Sequence, residues 1–405
     1  MTTLTHPTTY QRRHASVNLL SEPYRLMFPC GVLAALAGVS LWPLSIYGWL
    51  EFPPGAAHSR LMIGGFFGAM VIGFLGTAGP RLLGVRALAA WELAGFWGLW
   101  AAMVGSSLLN RIVLADGFGC ALFVWGGVAA ARRFRARRDL PPPGFVMVIL
   151  GMLSGFAGAF IALTIGAGIS VLPDPLIAWN LGKLLFSQAF LLLPILGIAP
   201  FFYPRLGGLP NAQSSYPEMR YPNRDWTRRA AVAGLFGMGV LGSYIWEAIA
   251  PSSPAGWTRA ALVCVYIVWQ VPLRFPSSSV GTLGRVAQLG ALCLVAGVAL
   301  AAAAPGERVS WLHVLFIGGF NLITIVVANW VMFGHSGLIE RGRKPLGYLK
   351  WSASLIVLAM AIRVALTFFP DWRIHSYSLA AFLWIAGMVA WAVFVLPRAL
   401  KPDEE

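Results

Sequence analysis

Apolar residues run along this chain in blocks of about twenty, separated by short polar or proline-bearing connections. At 1.5 Å per residue, a helix needs roughly 20 such residues to cross the hydrocarbon of a bilayer. Blocks that meet or approach this length fall at 26–48, 59–79, 88–109, 112–131, 144–170, 177–200, 230–249, 258–272, 286–304, 311–334, 350–369 and 377–396, the eighth being the shortest. Their apolar residues surround the helix instead of forming one stripe, which marks membrane spans and not soluble helices packed on a core. The pattern predicts an all-α integral membrane protein of about twelve transmembrane helices, a single polytopic domain over 1–405. Residues 1–25 read as a polar tail without the apolar core of a signal peptide, so insertion is expected to use the first span. The connection 201–229 is too short to enclose its own core and is expected to pack over the cytoplasmic face.

Composition agrees: 58% of the 405 residues are hydrophobic, 11% are charged, and mean hydropathy is +0.71. The net charge of +15 raises the question of nucleic acid, and the positions of the charges answer it. With the N-terminus inside, 23 of the 30 basic residues fall in cytoplasmic segments, including the run Arg132, Arg133, Arg135, Arg137 and Arg138. Five fall outside: Arg60, Arg111, Arg259, Arg308 and Arg373. This asymmetry places both termini in the cytoplasm and explains the basic excess without a nucleic-acid partner. The expected partner is the lipid bilayer, with anionic inner-leaflet lipid attracted to the basic loops. Cys30, Cys120, Cys264 and Cys293 are scattered through apolar runs, which argues against a disulfide framework or a CxxC metal site.

Of six histidines, His6 and His14 lie in the polar tail and the others at helix ends. His58, His313 and His375 belong to the outer side, His335 to the cytoplasmic side. His313 and His335 open and close one span, roughly 33 Å apart on an unbroken helix, so they cannot share a metal. His58 and His313 stand at one depth on the second and tenth spans. Two imidazoles on facing helices can hold a haem iron axially; the plainer alternative is that helix-end histidines sit in the interface. Steps of 100° place Met62, Gly65, Ala69 and Gly76 on the face of His58, and Ile317, Phe320, Thr324 and Val331 on that of His313. The first stripe leaves room for a macrocycle or lets helices pack closely. Arg60, Arg308 and Arg363 lie at comparable depth and are candidates for pairing with haem propionates. Arg111 and Arg259 read as snorkelling residues. Lys183 and Arg363 fall inside spans, where charges are costly. Asn180, Gln188, Asn321 and Asn329 read as interhelix hydrogen-bonding groups.

Two windows carry a family resemblance. One is His58-Ser59-Arg60-Leu61-Met62, then Gly65-Phe66, then Gly73-Phe74-Leu75-Gly76-Thr77-Ala78-Gly79-Pro80; the other begins His313-Val314-Leu315-Phe316-Ile317-Gly318 and reaches Gly334-His335-Ser336-Gly337. A weaker third is Gly197-Ile198-Ala199-Pro200-Phe201-Phe202. The chain resembles the NnrS family of membrane haem–copper proteins linked to nitric oxide metabolism and nitrosative stress. Its patterns are H-x-H-E-M, a G-F pair and GF-x-x-TA-x-P, then a histidine, four residues and a glycine ahead of GH-S/T-G, with 21 residues between the two histidines. Arg60 and Leu61 depart from H-x-H-E-M, and Trp330 and Leu338 stand where the family has arginines.

The resemblance implies a bacterial-type inner-membrane protein with haem b, metal ligands among His58, His313 and His335, and nitric oxide or a related small ligand. Copper is not expected where Arg60 replaces a histidine. A bundle like the main subunit of haem–copper oxidases follows by analogy alone, and no histidine lies in the sixth or seventh span to build that superfamily's copper site. A metal-free secondary transporter and a membrane assembly or regulatory protein are the competing readings.

Overall fold

The computed structural model describes residues 19–210, 220–250, 253–273, 280–365 and 367–401; His6, His14 and Arg274 lie outside them. Among the described residues there are helices and no strands. The long helices, in chain order, are α1 (Pro23–Ile46), α2 (Gly55–Leu82), α3 (Ala90–Leu108), α4 (Ile112–Arg135), α5 (Phe145–Gly166), α6 (Pro175–Leu206), α7 (Arg224–Ile249), α8 (Ser253–Gln270), α9 (Thr282–Ala303), α10 (Pro305–His335), α11 (Gly347–Ala365) and α12 (Arg373–Val395). Ten of them are long and apolar enough to cross a membrane. The other two are α3, which begins with Glu92 in its first turn, and α8, the short eighth block. Both still turn large apolar side chains outward, as Trp91 and Val268 show. Outward-facing Leu33, Leu235, Leu292 and Val393 do the same on the longer helices, as a lipid-facing surface requires.

Polar caps fix several helix starts. Asp174 accepts from the Leu176 amide (2.8 Å) ahead of Pro175 in α6, and Asn223 accepts from the Trp226 amide (2.7 Å) in α7. The polar connection is shorter than the sequence predicts, because α6 continues to Leu206 through Pro200 and Pro204. At the far end of α10 the motif Gly334-His335-Ser336-Gly337 closes the helix. Gly337 has φ of 64° and the Leu338 amide donates to the Phe333 carbonyl (2.8 Å), a left-handed glycine cap. Gly337→Ala forces a side chain into that conformation. It is expected to cost about 1 kcal/mol, read as a lower thermal midpoint in detergent with unchanged helix content.

Successive helices pack on one another around a ring that α12 closes against α1, with α2, α6 and α10 enclosed most deeply. These three central helices each contain a π-helical segment: Leu61–Phe67, Leu185–Ala189 and Val314–Asn321. As expected from the sequence, α2 and α10 touch, with the Phe67 and Phe320 rings 6.1 Å apart edge to face. Glycines make such approaches possible: a Cβ on Gly65 would stand 3.0 Å from that of Ala34, and one on Gly319 3.1 Å from the Leu294 Cα. The small stripe beneath His58 therefore serves helix packing, the plainer of its two readings.

Candidate functional site

Wide turns in α2, α6 and α10 open onto one cavity of about 570 Å³, within the range of small-molecule and cofactor sites. His58, His313, Lys183, Arg308 and Arg363 all line it. The depth argument for the two imidazoles thus leads to one shared chamber.

Each imidazole is oriented by a backbone carbonyl. His58 Nδ1 lies 2.9 Å from the Gly38 oxygen, and His313 Nδ1 2.7 Å from the Val309 oxygen one turn earlier. A carbonyl only accepts, so Nδ1 carries the proton in both rings and Nε2 keeps its lone pair. Among the described residues neither Nε2 has a hydrogen-bond partner. This is the tautomer and the outer support that a histidine ligand uses. The His58 ring also meets Trp42 edge-on at 5.9 Å; Trp42 stacks on Tyr377 at 5.4 Å, and the Arg363 guanidinium lies 4.6 Å from the Tyr377 centroid. Arg363 is within electrostatic reach of both imidazoles.

The π segments alter which side chains share a face. From His313 the cavity receives Phe316, Ile317 and Asn321, while Phe320 is buried against Phe67. A wide turn holds more residues than an α-turn, so 100° stepping from His313 goes out of phase within the segment. The segments carry a partial repeat, His58-x4-Ile63-Gly64-Gly65-Phe66 and His313-x3-Ile317-Gly318-Gly319-Phe320, which a search for H-x(3–4)-IGGF would have found.

Two ion clusters surround the chamber, and the charge pattern alone did not show them. Arg60, expected near haem carboxylates, does not line the cavity; it is buried and bidentate with Asp116 of α4 at 2.8 and 2.9 Å. Its charge is neutralised there, so it does not act as a lone cation beside a metal. Arg259, expected to snorkel, is 3% exposed, donates to Glu247 at 2.5 Å and covers the Tyr244 ring at 4.1 Å. Arg308 takes the second oxygen of Glu247, which itself borders the cavity. Glu247 gave no sequence signal beyond being an acid in an apolar run. Arg111 is exposed, as a snorkelling residue would be.

The remaining candidates lie elsewhere. His335 is at the opposite end of α10, its Nε2 accepting from Arg81 (2.9 Å) and its ring against Tyr24 (4.5 Å between centroids). Arg81 also pairs with Glu22. His375 is exposed on α12 and does not line the chamber. Asn329 makes the interhelix bond expected of it, accepting from Tyr348 Oη at 2.7 Å. Asn321 makes none among the described residues. No group of three or more His, Cys, Asp or Glu able to hold a metal occurs among the described residues.

Comparison with curated proteins returns no match. The family model described as NnrS protein matches residues 18–402, nearly the whole chain, and with its apolar helices this shows that the chain is a multi-pass membrane protein belonging to the NnrS family.

Proposed function

We propose that this protein binds haem b in the central cavity, between His58 and His313, and works in nitric oxide metabolism or the response to nitrosative stress. The observation that carries the reading is the pair of imidazoles, each with Nδ1–H donated to a carbonyl and Nε2 left for the cavity. The walls fit the group. Trp384, Phe316, Ile317 and Met62 offer apolar contact for a macrocycle, and Arg308 and Arg363 offer guanidinium groups for its carboxylates. Arg60 is left out because Asp116 already takes both of its forks. A haem held by these imidazoles would supply electron transfer or the binding of a small ligand. The chain's own part is to fix the imidazole tautomers through Gly38 and Val309, to hold Arg308 through Glu247, and to keep water from the aromatic half of the chamber. His335 belongs to a separate cluster with Arg81 and Glu22. The charge asymmetry supports the bacterial inner membrane as the site, with both termini cytoplasmic.

The deciding measurement is the absorbance of the purified protein, oxidised and then reduced by dithionite, together with iron and copper analysis. We expect a haem b spectrum with one iron per chain and copper well below one. Protein without haem bands after expression with ample haem supply would sink the assignment. Stoichiometric copper that survives washing would show the copper expectation to be wrong.

A further inference from the structure

One wall of the chamber is chemically unlike the others. On α6, Asn180, Lys183 and Gln188 line the cavity, Gln188 from within the π segment Leu185–Ala189. Asn321 of α10 joins them; it is 1% exposed, and neither polar atom of its carboxamide is hydrogen-bonded among the described residues. Leaving both ends of a buried carboxamide without partners is unfavourable unless a ligand or water meets them. Lys183 has no ion pair or hydrogen bond from its ammonium among the described residues, and Gln188, 3% exposed, has no hydrogen bond among them either. The Ser187 hydroxyl is already committed to the Lys183 carbonyl at 2.7 Å. Arg308 lines the same cavity and is ion-paired with Glu247, so the charge of this wall comes from Lys183.

We infer that this wall is a second binding site of the chamber, for a small monovalent oxyanion held by Lys183, Gln188 and Asn321. The ammonium supplies the charge, and the two amide NH2 groups donate to the oxygens. The Asn321 Oδ1 accepts from a water bound with the anion. One ammonium matches one negative charge. The inference rests on the proposed haem reading only in its choice of nitrite, the oxyanion that differs from nitric oxide by one oxygen atom and one electron. The site stands on α6 and α10 and uses neither His58 nor His313.

The test is calorimetric titration of the full-length protein, purified in detergent with whatever cofactor it carries, using sodium nitrite, sodium nitrate and, as control, sodium chloride at constant ionic strength. We expect one nitrite site per chain, with the haem bands unmoved. Lys183→Met and Asn321→Leu should each weaken binding about tenfold or more, and Lys183→Arg should retain it. All three should keep the parent's haem content. Nitrite binding unaffected by Lys183→Met and Asn321→Leu overturns the site, as does no binding at all. Loss of haem together with anion binding in Lys183→Met also overturns it, because Lys183 then serves the haem carboxylates. A haem-free protein that binds nitrite through Lys183 and Asn321 keeps this site and removes the haem reading.

Discussion

His58→Ala and His313→Ala are each expected to lower the haem content of the purified protein about tenfold or more, while His335→Ala keeps the parent spectrum. Outer-shell changes at metal sites already cost roughly 10–100-fold in affinity, and loss of the ligand itself should cost at least as much. The separation follows from position: His58 and His313 face one chamber, whereas His335 is bound to Arg81 at the other end of α10. Haem content should be measured beside helix content, so that unfolding is not counted as cofactor loss. Equal haem loss in all three well-folded variants would refute the separation of His335 from the other two. Retention in His313→Ala would remove α10 from the haem site.

A comparably large effect is expected on stability from Glu247→Ala. This substitution leaves Arg259 buried with no carboxylate and takes from Arg308 its anchor at the chamber. Removing one partner of a buried ion pair costs about 3–5 kcal/mol, mostly for the charge left behind. The measurement is thermal unfolding in detergent, where the midpoint should fall by several degrees. Adding Arg259→Met to Glu247→Ala should recover part of the loss, since the stranded charge goes with it. If Glu247→Ala unfolds at the parent's midpoint, the cluster is not a stabilising unit.

Helix positions are readable from composition because hydrocarbon thickness imposes one length on every span, and every block predicted is a helix here. Two of these helices, α3 with Glu92 and α8 with Arg259, fall short of the apolarity of the other ten. The chamber was readable in part, since depth is set by distance along a helix and His58 and His313 open theirs. Side-chain pairing was not, because Arg60 and Asp116 are 56 residues apart, and Glu247 and Arg308 come from α7 and α10. Nothing in the order of residues marks an acid in an apolar run as the partner of one particular arginine. Facing departs from 100° steps in the π turn of α10, where Phe320, expected beside His313, packs on Phe67 instead of lining the cavity; Asn321, read by residue type as a helix-bonding group, lines the cavity.

Those wide turns bear on how the chain tolerates insertion and deletion. A π turn is an α-helix that has accommodated one extra residue. Elsewhere in a span, removing a residue rotates everything beyond it by about 100° and turns lipid-facing side chains inward. Within Leu61–Phe67 or Val314–Asn321, the same deletion can be absorbed by return to an α-turn, leaving the rest of α2 or α10 in register. The two IGGF segments begin five and four residues after their histidines, a difference of one residue that such a turn can hold. Length variation among relatives should therefore gather at these segments, where the imidazoles can be re-aimed while the surrounding helices stay packed.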